Sequence, residues 1–270
     1  MIFDLLQYDF IIRALVIGVA LAVSASLLSP FLVLNHQAMI ADGLAHVSFA
    51  GLALGMLLVN EPLYISIPFV MLASFLIKFL SDRMNGDAAI GLVSALAFAV
   101  GLIIIKKGSG FNYSIESLIS GNIFTTSPTL MILGILSTIL IFIFVLYFYR
   151  KLFLMTYDND YAKFSGIKVT LLGYLLSALT AFFIAVGVRT IGVLLISALV
   201  IFPSVISSQF TKSFMMTLIY GTVASVIVTI SGIFIAHPLN VPAGSTIVIV
   251  YSIILGLILI FKKVLRGEKS

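Results

Sequence analysis

The chain has 270 residues, 61% of them hydrophobic and only 9% charged, with a mean hydropathy of +1.26. Soluble domains carry about a quarter charged residues, so this composition excludes a soluble protein and marks an integral membrane one. Absence of cysteine excludes disulfides and thiolate metal sites, and the net charge of +5 is spread over short loops, which points to membrane orientation rather than to nucleic acid.

Apolar runs of roughly twenty residues, the helix length that crosses a bilayer core of roughly 30 Å, recur along the whole chain. In order they predict spans over 11–34, 39–59, 63–80, 88–105, 128–148, 169–186, 190–206, 214–236 and 243–262. No basic leader region or A-x-A site precedes the first span, which is expected to remain. The segment from Ile191 to Val205 is short and carries Gly192, Pro203 and Ser204, so it is expected to be broken or re-entrant. The fold class is therefore all-α, a polytopic transmembrane helical bundle with eight or nine membrane segments, forming one domain over residues 1–270.

Lys and Arg in the short loops set the orientation. With the C-terminus in the cytoplasm, Lys78, Arg83, Arg150, Lys212 and Lys262 fall inside, while Arg13, Lys106, Lys107 and Arg189 are left outside. Two loops exceed a minimal connection. The outer one, 106–128, is expected to hold a short interfacial helix near 114–119 that ends at Gly121. The inner one, 150–168, is expected to hold a capped amphipathic turn that starts at Asp158. No G-x-x-x-x-G-K-[ST] loop occurs, so any ATP hydrolysis that drives this chain must come from a separate subunit.

The chemistry concentrates at Asp42 and His46, four residues apart within the apolar stretch 39–59. A carboxylate costs about 3 kcal/mol at the centre of a membrane helix and is kept there for an ion, a proton or a partner. Asp42 could serve as a helix cap, but Met39, Ile40 and Ala41 already continue the apolar run before it. Spacing i, i+4 puts both side chains on one face, where an oxygen and an imidazole nitrogen can reach one cation. Two ligands are too few for a transition metal. A two-fold axis beside this helix would bring both pairs together as an O2N2 set suited to Zn(II) or Mn(II). Gly43, Gly51 and Gly55 are among the small residues that let backbones approach as closely as that geometry needs.

The segment Ile40-Ala-Asp-Gly-Leu-Ala-His-Val-Ser-Phe-Ala-Gly-Leu-Ala-Leu-Gly55 resembles the second-helix signature of zinc and manganese ABC-transporter permeases. The segments beginning at Ile90, Leu118, Ala162, Ile191 and Pro242 come in that family's order, and the resemblance covers essentially the whole chain. It implies a homodimeric permease in the bacterial cytoplasmic membrane, driven by cytoplasmic ABC ATPase subunits and supplied by an extracytoplasmic metal-binding protein. Asp42 and His46 are then the metal ligands. Ala50 before Gly51, where manganese members more often carry Pro, resembles the zinc branch.

By the same resemblance Pro203, Ser204, Ser207, Ser208 and Gln209 form the ATPase coupling segment. Pro203 is expected to break its helix and expose a short polar helix after it. His237 at the outer mouth and His36 on the cytoplasmic side are second-rank candidates for admitting and releasing metal. The expectation is a zinc permease with no ATP-binding motif and no enzymatic role of its own. The alternatives are a manganese or iron permease of the same family, or a proton-coupled secondary metal transporter.

Overall fold

Lipid offers the backbone no hydrogen-bond partners, so a chain this apolar must satisfy its peptide groups within helices or a closed barrel. The computed structural model, which describes residues 8–35, 37–59, 61–107 and 121–267, takes the helical route. In order the helices are α1 (Asp9–Leu34), α2 (Ile40–Leu58), α3 (Leu63–Ser81), α4 (Gly86–Lys107), a 3-10 turn (Ile123–Thr125), α5 (Pro128–Tyr157), α6 (Asn159–Phe164), α7 (Val169–Ser207), α8 (Phe214–Leu239) and α9 (Ala243–Gly267). Among the described residues, eight of them are long and apolar enough to cross a membrane, all but α6 and the 3-10 turn.

The two spans expected over 169–186 and 190–206 form the single element α7, and that element doubles back. Gly192 has φ 84° and ψ 164°, a conformation essentially closed to residues with a Cβ. A Cβ placed on Gly187 would run into the side chain of Ile196, nine residues further on. A straight helix would hold those positions about 13.5 Å apart. The arm 169–191 is about 34 Å long and the return arm 193–207 about 22 Å, so only the first has the length of a full span. Gly121, also at positive φ (64°), packs its backbone directly on Ile191 and Gly192 and leaves no room for a side chain at this corner.

Helix ends sort into two groups. Asn35, Lys78, Gly86, Asn159 and Val169 surround one cleft, and Phe10, Asn122, His237 and Ala243 surround another, so successive helices run in alternating directions. Lys78, Lys163, Lys168, Lys212 and Lys262 all belong to the first group, which makes it the lysine-rich end.

Inside the bundle, hydroxyls replace the bulk that a soluble core would use. Along α1, Ser24 donates to Thr138 of α5 at 2.9 Å, Ser26 to Thr222 of α8 at 3.0 Å, and Ser29 to Ser204 of α7 at 2.7 Å. Each such interhelical bond contributes about 0.6 kcal/mol on average in membranes. Large apolar side chains point outward instead, among them Leu72, Leu96, Leu146, Ile227 and Leu257, as a lipid-facing surface requires.

Helix α7 does not break at Pro203 but continues to Ser207. Next to the missing proline N–H, the amide of Ser204 donates to the Ser29 hydroxyl at 3.2 Å, so a side chain from α1 takes up a backbone group at the proline. Beyond Ser207 the chain turns, and no separate polar helix forms before α8. The capped turn expected in the 150–168 loop is present as α6, with Asp158 Oδ1 accepting from the Tyr161 amide at 2.9 Å. The helix expected near 114–119 lies outside the described residues.

Candidate metal centre

Helix α2 begins at Ile40, which puts Asp42 in its first turn and His46 in the next. From Ala41 to Ala53 every residue is buried except these two. Helices α3, α4 and the return arm of α7 cover the remainder of α2, so the one open stripe carries the one acid and the one imidazole. The Asp42 side chain is 43% exposed and that of His46 31%.

His46 Nε2 lies 3.7 Å from Asp42 Oδ2, beyond hydrogen-bond reach. The other carboxylate oxygen, Oδ1, accepts a long 3.4 Å hydrogen bond from Ser197 Oγ on the return arm of α7. His46 Nδ1 is buried and has no hydrogen-bond partner. The ring is held by Phe98, which meets it edge-on at 4.8 Å and packs in turn on Phe49 at 5.2 Å. A carboxylate and an imidazole that are adjacent, only loosely joined and open on one side can both turn lone pairs toward a cation. Among the described residues no group of three or more His, Asp or Glu converges. One chain therefore offers two strong donors, half of the four that a transition metal commonly takes.

The three glycines expected to aid packing do so inside the chain and not on the open stripe. Gly43 makes room for Ile90 of α4, Gly51 for Ser66 and Phe69 of α3, and Gly55 sits on the backbone of Pro62. Ala50 packs against Gly101 of α4, so the residue that suggested a zinc preference is a helix-packing contact.

His237 belongs to the far end of the bundle and is not brought to Asp42. It stacks on Phe10 at 6.0 Å and meets Phe124 edge-on at 6.0 Å, in a cavity of about 460 Å³ shared with Asn122 and Asn240. His36 lies outside the described residues.

The segment expected to be exposed for coupling is largely interior. Pro203, Ser204 and Ser207 are buried, and Ser207 Oγ donates to the Pro203 carbonyl at 2.7 Å. Of the five residues only Ser208 is fully exposed. Gln209 is tied to Lys262. Exposed aromatic side chains at this end lie on α6, where Phe164 is 91% and Tyr161 56% exposed, at the end of α5, where Tyr157 is 84% exposed, and directly after the segment, where Phe210 is 69% exposed.

Sequence reasoning also missed Ser197. One serine in a membrane helix carries no signal until the reversal at Gly192 sets it against a residue 155 positions away.

Comparison with known proteins bears on what this arrangement serves. The chain is 29% identical over 92% of its length to a probable metal transport system membrane protein of Thermotoga maritima, covering 88% of that protein. It is 25% identical over 96% of its length to the manganese transport system membrane protein MntC of Halalkalibacterium halodurans, covering 89% of it. It is 26% identical over 92% of its length to the manganese import system permease protein ScaB of Streptococcus gordonii, covering 90% of it. The solved structure of PsaBC from Streptococcus pneumoniae in complex with Fab shares the fold, with a TM-score of 0.84 at 23% identity over 96% of this chain and 95% of that one. Residues 7–262 match the ABC 3 transport family, and the chain belongs to that family.

Proposed function

We propose that this chain is the membrane-spanning permease subunit of an ATP-binding-cassette importer for a divalent transition metal. The observation that carries the reading is the open stripe of α2, where an acid and an imidazole are the two residues not buried from Ala41 to Ala53. In this reading a second copy of the chain applies the same stripe across a two-fold axis, and the two Asp42 and two His46 side chains together replace the water shell of one ion. Binding of cargo there stabilises the paired carboxylates, which the lipid interior otherwise disfavours.

Manganese is the better-supported cargo. Two of the relatives compared above are named for manganese, and Asp–His donors can hold it, although intrinsic affinity favours zinc. The zinc reading rested on Ala50, which packs on α4 and does not touch the ion site.

Orientation comes from charge: the lysine-rich end faces the cytoplasm of a bacterial cell, where a separate ATPase docks, and the opposite end receives metal from an extracytoplasmic binding protein. The docking surface that best fits the geometry is α6, a capped helix that presents Tyr161 and Phe164 to solvent. That position replaces the 203–209 segment, whose side chains are mostly interior.

Uptake of manganese and of zinc by cells that depend on this chain tests the reading. Asp42→Ala and His46→Ala are expected to abolish manganese uptake while the protein still assembles with its ATPase. Uptake at the parent rate in both variants removes the ion site from α2, and transport by the purified chain without ATP removes the ATP-driven mechanism.

A further inference from the structure

Ser197 is the only polar residue between Gly192 and Pro203. Its neighbours Leu195, Ile196, Ala198, Leu199 and Val200 are buried, yet Ser197 is half-open on the same side as Asp42. A serine in a membrane helix ordinarily returns its proton to a carbonyl one turn back, and other hydroxyls of this chain do so tightly. Thr180 reaches Leu176 at 2.8 Å, Thr222 reaches Leu218 at 2.8 Å and Ser207 reaches Pro203 at 2.7 Å. Ser197 Oγ instead stands 3.3 Å from the Val193 carbonyl and 3.4 Å from Asp42 Oδ1, a weak partner to both.

One hydroxyl proton serves only one acceptor at a time. When it rests on Val193, the oxygen lone pairs of Ser197 face a carboxylate. That contact is repulsive unless a cation lies between the two oxygens. The spacings also suit shared coordination. Donors bonded at about 2.1 Å to one ion stand about 3 to 3.5 Å from one another, close to the Ser197–Asp42 distance and slightly below the 3.7 Å between His46 and Asp42.

We propose that Ser197 supplies a third donor from each protomer, so that the paired site is a six-donor O4N2 set rather than a four-donor O2N2 one. The inference rests on Asp42 and His46 being the ion site. Six donors rich in oxygen suit octahedral Mn(II), whereas Zn(II) settles for four, so Ser197 is a specificity-determining residue that holds the site against zinc.

The test uses cells carrying the full chain with its partners, and reads manganese uptake against increasing competing zinc, normalised to the amount of protein in the membrane. In Ser197→Ala the zinc concentration that halves manganese uptake is expected to fall about tenfold, the lower end of what loss of a site-supporting group costs. Ser197→Thr, which keeps the hydroxyl, is expected to stay near the parent value. A merely structural role for Ser197 would lower uptake without changing the competition ratio. An unchanged ratio in Ser197→Ala therefore overturns the proposal, whether or not uptake falls. Asp42→Ala serves as the separate control. Parent-level uptake there overturns the ion-site reading itself, while its loss together with an unchanged Ser197→Ala ratio overturns only the third donor.

Discussion

Lys262 grips both oxygens of Gln209: its ammonium donates to the backbone carbonyl at 3.0 Å and to the side-chain amide oxygen at 3.1 Å. The end of the α7 return arm is thereby fastened to α9, and both oxygens of Gln209 are engaged within the chain. Close to it, α6 presents two exposed aromatic side chains, Tyr161 and Phe164, on one capped helix. Phe164→Ala and Tyr161→Ala are each expected to weaken capture of the ATPase by about tenfold, as loss of an aromatic anchor does at an interface. Gln209→Ala is expected to leave capture within about twofold. Co-purification of the two subunits measures both, and the reverse ranking would return the docking surface to the 203–209 segment.

Gly192 turns α7 with a backbone that other residues cannot adopt cheaply. Gly192→Ala is expected to destabilise the protein by about 1 to 3 kcal/mol, the usual cost of such a conformation. Thermal unfolding in detergent measures it. A variant as stable as the parent would mean that the corner at 192 is not strained.

The Ser29–Ser204 pair makes a different prediction about size. Removing the hydroxyl in Ser29→Ala leaves the Ser204 amide without its partner beside Pro203. Interhelical hydroxyl bonds in membranes contribute about 0.6 kcal/mol on average and about 1.7 kcal/mol at most. The expected loss is within that range, measured in the same detergent assay. A much larger loss would show that the helix depends on this bond to pass the proline.

Acid should weaken transport. A neutral imidazole can ligate a metal and a protonated one cannot, so protons compete with the metal for a site that includes an imidazole. Manganese uptake is expected to decline as the medium, buffered on both sides of the membrane, is taken from about pH 8 to about pH 5. The paired measurement is His46→Asp, which keeps a donor but removes the imidazole. Its remaining uptake should depend less steeply on pH over the upper part of that range.

Much of the fold was legible in the sequence because lipid leaves few options. Apolar runs of the right length had to be helices, and the only acid and imidazole within 39–59 had to be costly unless used. Asp158 announced the cap of α6 for the same local reason. The features that escaped depended on contacts distant in sequence. Pro203 reads as a helix breaker on its own, and it passes without a break where Ser29 from α1 accepts the neighbouring amide. Gly43, Gly51 and Gly55 show that helices approach closely but not which ones, and the structure gives them to α3 and α4 of the same chain. Ala50 looked like a marker of cargo and is a contact with Gly101.

The return arm of α7 touches Asp42 through Ser197 and is pinned near its other end by Lys262, with its upper corner closed by two glycines. From Ser197 to Ser207 is about 15 Å of helix, and Gln209 follows in the turn just beyond it. It is bonded at both extremities and has no flexible joint between them among the described residues. Such a rod cannot shift at the lysine-rich end without altering the distance between Oγ and the carboxylate. Tilting it by a few degrees separates those two oxygens by an ångström or so, and a bare ion, which tolerates little error in its bond lengths, would sense that stroke at once.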